Sequence, residues 1–61
     1  MDRGSYRMVV NTRLHGERWT AQVQVVTHGT ALAEAQAEDD REAEAIVGAV
    51  RAALSQVMGR L

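Results

Sequence analysis

Thr30-Ala31-Leu32-Ala33-Glu34-Ala35-Gln36-Ala37-Glu38 decides the fold of this chain. Its residue types favour a helix, because Ala, Leu, Glu and Gln rank high in helix propensity. Its period contradicts them. Ala31, Ala33, Ala35 and Ala37 recur at every second position, which gathers them on one face of an extended chain and scatters them around a helix. Thr27-His28-Gly29 just before is a turn signal, and Asp39-Asp40 just after suits a helix start better than a helix interior. The segment therefore reads as a third strand whose alanine face lets a helix lie close.

Two further strands precede it. Along residues 6–14, Tyr6, Met8, Val10, Thr12 and Leu14 alternate with Arg7, Val9, Asn11 and Arg13. Along residues 17–26, Trp19, Ala21, Val23 and Val25 share one side, and Arg18, Thr20, Gln22, Gln24 and Val26 share the other. A tight turn at His15-Gly16 joins the two, since Gly supplies the positive φ such turns need. That turn predicts Leu14 opposite Glu17, Thr12 opposite Trp19, Val10 opposite Ala21 and Met8 opposite Val23, and it sets Arg13 against Arg18. For the second connection, a three-residue loop with Gly29 in the left-handed region aligns Ala31, Ala33, Ala35 and Ala37 with Val25, Val23, Ala21 and Trp19.

Residues 40–60 carry a helical pattern. Ala43, Ile46, Val47, Val50, Leu54, Val57, Met58 and Leu61 follow i, i+3, i+4 spacing, whereas Arg41, Glu44, Arg51, Ser55 and Arg60 lie off that stripe. Asp39 is placed as the N-cap, with Glu42 completing a capping-box-like pair. Gly48 sits beside the stripe, where it costs about 1 kcal/mol relative to Ala; it reads either as tolerated drift or as a place where another helix or strand approaches closely. The predicted class is α+β: a three-stranded antiparallel meander followed by one C-terminal amphipathic helix, forming a single domain over residues 6–61 after a flexible stretch at 1–5.

The 61 residues set further bounds. A chain of that length buries only about 60% of the surface it exposes when unfolded, so its core is thin. Apolar residues make up 46%, but Phe is absent, Trp19 and Tyr6 are the only aromatics, and Ala supplies ten residues. With no Cys, disulfides and thiolate zinc sites are excluded. There is no apolar run of about twenty residues to span a bilayer, and Met1-Asp2-Arg3-Gly4 lacks a signal-peptide apolar region, so the expected location is cytoplasmic. The formal net charge of −1 divides into +2 over residues 1–28 and −3 over residues 29–61, which argues against a general attraction to nucleic acid or anionic lipid.

The order of elements and the run Ala35-Gln36-Ala37-Glu38-Asp39-Asp40-Arg41-Glu42-Ala43-Glu44 resemble the C-terminal part of the double-stranded RNA-binding domain family, over about residues 6–57. In that family small residues end the third strand, a cap follows, and a Lys-Lys-x-Ala-Lys run opens the last helix. Here Ala35 and Ala37 stand for the small residues, Asp39 for the cap and Ala43 for the alanine of the run. Val23-Gln24-Val25 resembles the second strand, and Ala52-Ala53-Leu54 the Ala-rich end of the helix. The chain departs from the family in two ways. It has no room for the first helix, which contacts the RNA minor groove. The three Lys positions fall on Asp40, Arg41 and Glu44, so two of the phosphate contacts become acids. The resemblance thus implies the βββα fold and weighs against the family's RNA binding. A weaker similarity of the same order is to the antitoxin half of HicB-type toxin–antitoxin pairs.

Candidate chemistry is sparse. His15 and His28 each precede a Gly, at turns expected at opposite ends of the sheet, and read as exposed turn residues rather than metal ligands. The acids Glu38, Asp39, Asp40, Glu42 and Glu44 lack the spacing and central Gly of a calcium loop and read as a solvated helix start. No Ser–His–acid arrangement stands out and one helix on three strands makes no deep cleft, so no enzyme and no cofactor is expected. Arg7, Arg13 and Arg18, on the sheet face away from the helix, and Arg41 form the candidate interaction surface. Val57, Met58 and Leu61 overhang the sheet and are the candidate dimer contacts. The expectation is a non-enzymatic protein-interaction module, homodimeric, with residual double-stranded RNA binding or a HicB-like antitoxin role as alternatives.

Overall fold

The computed structural model describes residues 5–59. Three antiparallel strands, β1 (Tyr6–His15), β2 (Arg18–Thr27) and β3 (Thr30–Asp39), lie side by side in chain order and are followed by a single helix, α1 (Glu42–Met58). The architecture is the α+β meander expected, and the alanine segment is extended as its period requires. Of the stretch read as a flexible N-terminus, residues 1–4 lie outside the described residues, as does Leu61.

Both registers differ from the expected ones. At the first turn Leu14 faces Trp19, Thr12 faces Ala21, Val10 faces Val23 and Met8 faces Val25. The turn residues are thus Gly16-Glu17, with Gly16 at φ 62° in the first central position. The difference is a slip of two residues, which keeps every side chain on its face and so leaves the alternation unchanged. It removes the expected Arg13–Arg18 opposition: Arg13 faces Thr20, and Arg18 faces His15. At the second turn Thr27 pairs directly with Thr30, and His28 and Gly29 both take positive φ, 52° and 76°. That two-residue turn has the positive φ at both central positions that matches strand twist. The extra residue is taken up further along as a bulge, where Val25 faces Ala33 but Val26 faces Ala31. Ala33, Ala35 and Ala37 therefore line up with Val25, Val23 and Ala21, whereas Ala31 leaves the stripe and is exposed.

The helix also differs in detail. Its N-cap is Arg41, in an extended conformation with no side-chain cap. Asp39 is still the last residue of β3, and its Oδ1 accepts the Arg41 backbone N–H at 3.1 Å. Glu42 does not complete a capping box; its Oε2 accepts from Thr12 Oγ1 at 2.9 Å. More consequentially, the helix buries Ala45, Ala49 and Ala53 rather than the larger aliphatic stripe. They pack on Ala21, Val23, Val25 and Ala33, and these seven residues are the core. Ile46, Val50 and Val57 are half-buried beside it, and Val47, Leu54 and Met58 are exposed. Gly48 explains the rotation: a Cβ there would lie 3.1 Å from the Ala37 Cβ, closer than side chains normally approach. Small residues on both layers let the helix settle against β2 and β3, and the larger side chains are carried toward β1.

Candidate interaction surface

Two surfaces remain after the core is made. The outer sheet face holds the alternate residues of each strand. Arg7, Asn11 and Arg13 lie on β1, Arg18, Thr20, Gln22 and Gln24 on β2, and Glu34, Gln36 and Glu38 on β3. Arg7, Arg13 and Arg18 are thus brought to one face. Arg41 is set apart from them in the β3–α1 link. Acids from β3 answer the basic residues. Arg18 lies 3.8 Å from Glu38, and Gln24 Nε2 donates to Glu34 Oε2 at 2.6 Å. Both members of the ion pair are more than half exposed, where such pairs contribute about 0–1 kcal/mol and are screened by salt. Tyr6 and Trp19, the two aromatics, point to the other side, so this face lacks the stacking platforms that single-stranded nucleic acid binders use.

His15 closes the first hairpin and His28 sits in the second turn. A ten-residue strand separates the two turns, roughly 33 Å at strand rise. Among the described residues no group of His, Asp and Glu is arranged to hold a metal ion. Three of the acids around the helix start have a partner. Asp39 is held below the usual carboxylate range, chiefly by the Arg41 N–H, with contributions from Asp40 and the Arg18 guanidinium. Glu42 is bonded to Thr12 and Glu38 stands by Arg18.

The inner face is the more informative. Thr12 bonds to Glu42, so the inner row of β1 (Met8, Val10, Thr12, Leu14) looks toward the helix. The helix does not cover it. Val10 is 41% exposed although its cross-strand neighbour Val23 is 0% exposed. Tyr6, Met8 and Leu14 on β1 are exposed as well, as are Val47, Leu54 and Met58 on α1. Between the two elements runs an apolar groove of about 410 Å³, lined by Tyr6, Arg7, Met8, Val25, Leu54 and Val57. Of the residues singled out as dimer contacts, Val57 is half-buried in this groove, Met58 is exposed beyond it, and Leu61 is not among the described residues. The β1 residues were missed because strand alternation shows which side a residue takes, not whether a helix covers it.

Among the described residues no helix is long and apolar enough to cross a membrane. No family model, curated protein or solved structure matches the chain.

Proposed function

We propose that this chain is a non-enzymatic protein-interaction module that works as a homodimer, with its open inner face as the contact surface. What supports the reading is surface the monomer leaves uncovered. The large apolar residues left exposed lie on β1 and α1, the two elements that border the groove, and exposed apolar surface gathered in one place marks an interaction site. The helix packs on β2 and β3 and hardly touches β1, so the groove between β1 and α1 stays open. Without disulfides, and with Val23 the largest fully buried side chain among the described residues, a partner is the available source of further stability.

Sedimentation equilibrium over the micromolar range tests this directly, with a dimer expected. Thermal unfolding provides a second reading, because a dimer's Tm rises with protein concentration whereas a monomer's does not. A stable monomer throughout would overturn the proposal.

The resemblance to double-stranded RNA-binding domains supports the order of elements and gives the competing activity. Asp40 and Glu44 stand where that family has phosphate-binding lysines, and Glu38 answers Arg18 on the sheet. A gel-shift titration with duplex RNA at low and moderate salt is expected to show no specific complex. Salt-sensitive binding lost in Arg41→Glu would favour RNA binding instead. A HicB-like antitoxin role would require a short basic open reading frame beside the gene.

A further inference from the structure

We infer that the second copy adds along β1: two β1 strands pair antiparallel about a two-fold axis through Asn11, making one six-stranded sheet. The inference rests on the homodimer reading above and supplies its geometry.

The backbone selects the edge. A two-residue turn joins β1 to β2, so His15 and Arg18, which flank it, form a hydrogen-bonded pair. Alternation from that pair directs the backbone groups of Arg13, Asn11, Val9 and Arg7 toward β2. Those of Leu14, Thr12, Val10 and Met8 point outward, where no strand lies among the described residues. The opposite edge is treated differently. On β3 the outward Glu34 N–H donates to Gln56 Oε1 at 3.4 Å, and Gln56 Nε2 donates to the Glu34 carbonyl at 2.6 Å. A helix side chain thus takes the place of a strand partner at Glu34, one of the outward residues of β3. Among the described residues, β1 keeps a row of donors and acceptors with no strand against it, the condition under which strands add to a sheet.

The side chains select the occupant. A two-fold contact requires a patch that complements itself. The outward backbone groups of β1 belong to the same residues that line its exposed apolar face. A second copy therefore joins the two half-grooves into one trough, floored by paired β1 strands and walled by both helices. An antiparallel two-fold pair also places residues of the same face opposite one another. With the axis at Asn11, Met8 meets the partner's Leu14 and Val10 meets the partner's Thr12. On the outer face Arg7 meets the partner's His15 and Val9 meets the partner's Arg13. Moving the axis to Val10 would set Arg7 against the partner's Arg13, a like-charge opposition that destabilises a sheet. Moving it to Val9 would leave Leu14 and His15 without partners. The Asn11 register has one more feature in its favour. Asn11, Gln22 and Gln36 stand directly opposite one another across the three strands. With Asn11 on the axis this amide row continues through all six, and Asn and Gln stack well in such ladders.

The chain contains no cysteine, so single-cysteine variants report the geometry cleanly. On the axis, Cα atoms of a non-hydrogen-bonded pair lie about 4.5 Å apart, within the range of about 4.4–6.8 Å that a disulfide spans. Asn11→Cys is expected to sediment as the parent does when reduced, and to lose its monomer band on mild oxidation. Gln36→Cys on β3 and Arg51→Cys on the helix are expected to keep theirs. Val10→Pro removes an outward N–H, a change edge strands tolerate; it is expected to yield a folded monomer. If the chain is a dimer but Gln36→Cys or Arg51→Cys cross-links in preference, the homodimer stands and the β1 geometry falls. Faster cross-linking of Val9→Cys or Val10→Cys would overturn the Asn11 register. A parent chain that is monomeric throughout would remove both the homodimer and its geometry.

Discussion

Val10 and Val23 are the same residue type, directly opposite one another on neighbouring strands, yet one is 41% exposed and the other 0%. The contrast divides the molecule. Over β2 and β3 the helix lies close, with Ala45, Ala49, Ala53 and Gly48 set against Ala21, Ala33 and Ala37. Over β1 it hardly reaches, and larger side chains line an open groove. The cause is dimensional. A helix is about 10 Å across and strands are spaced about 4.8 Å, so one closely seated helix covers two strands and leaves the third. Small residues make the closed half tight and, by seating the helix there, make the other half open.

The sharpest test of that division is a pair of identical substitutions. Val23→Ala removes two methyls from the closed half and is expected to cost about 2 kcal/mol, largely through the cavity it leaves. Val10→Ala, measured at concentrations where the chain is dilute monomer, should cost less than half as much. Urea unfolding monitored by circular dichroism gives both values. Equal losses would mean that the two halves are not distinct.

The close seating predicts a coupling. Gly48→Ala gains up to about 1 kcal/mol of helix propensity but sets its Cβ against Ala37. Its effect should become more favourable by about 0.5–1 kcal/mol in an Ala37→Gly background, as for residues in contact. Additivity in that double-mutant cycle would mean that the layers are not in contact at this point.

Gln56→Ala probes the blocked edge. Loss of its two bonds to the Glu34 backbone should cost roughly 0.5–1.5 kcal/mol, since the freed groups are exposed to water. The Glu34 amide should also exchange hydrogen faster. Unchanged exchange would show that Gln56 does not hold that edge.

The smallest effect concerns pH. The Asp39 carboxyl titrates below its ordinary value of 3.8 in the folded chain, mainly because its ionised form accepts the Arg41 N–H. Its folded-state pKa is depressed, so the stabilisation is fully present above the unfolded value and is lost as pH falls through the folded one. An NMR titration of Asp39 is expected to give a midpoint under 3.8. A midpoint at or above it would show that the bond to the β3–α1 link does not persist in solution.

Much of the closed half can be recognised from sequence once small residues are counted as a pattern. Ala45, Gly48, Ala49 and Ala53 recur at i, i+3, i+4 and i+8, facing a strand whose own inner face is alanine. A reading that weights residues by hydrophobicity passes over that stripe, because it ranks Ile46, Val50 and Leu54 above it. Contact is decided by which faces fit most closely, and here those are the small ones.

Sequence alone determined the order of elements and, except at Ala31, which the bulge takes off the alanine face, the side of the sheet each strand residue takes, because a period of two specifies parity whatever the turn. It could not distinguish registers two residues apart, since such slips preserve parity; the turns at Gly16-Glu17 and His28-Gly29 and the bulge after Val25 decided them. Nor could it say which strand the helix would leave uncovered. That followed from the fit of Gly48 against Ala37, a contact between residues distant in the chain that exists only once sheet and helix are packed together.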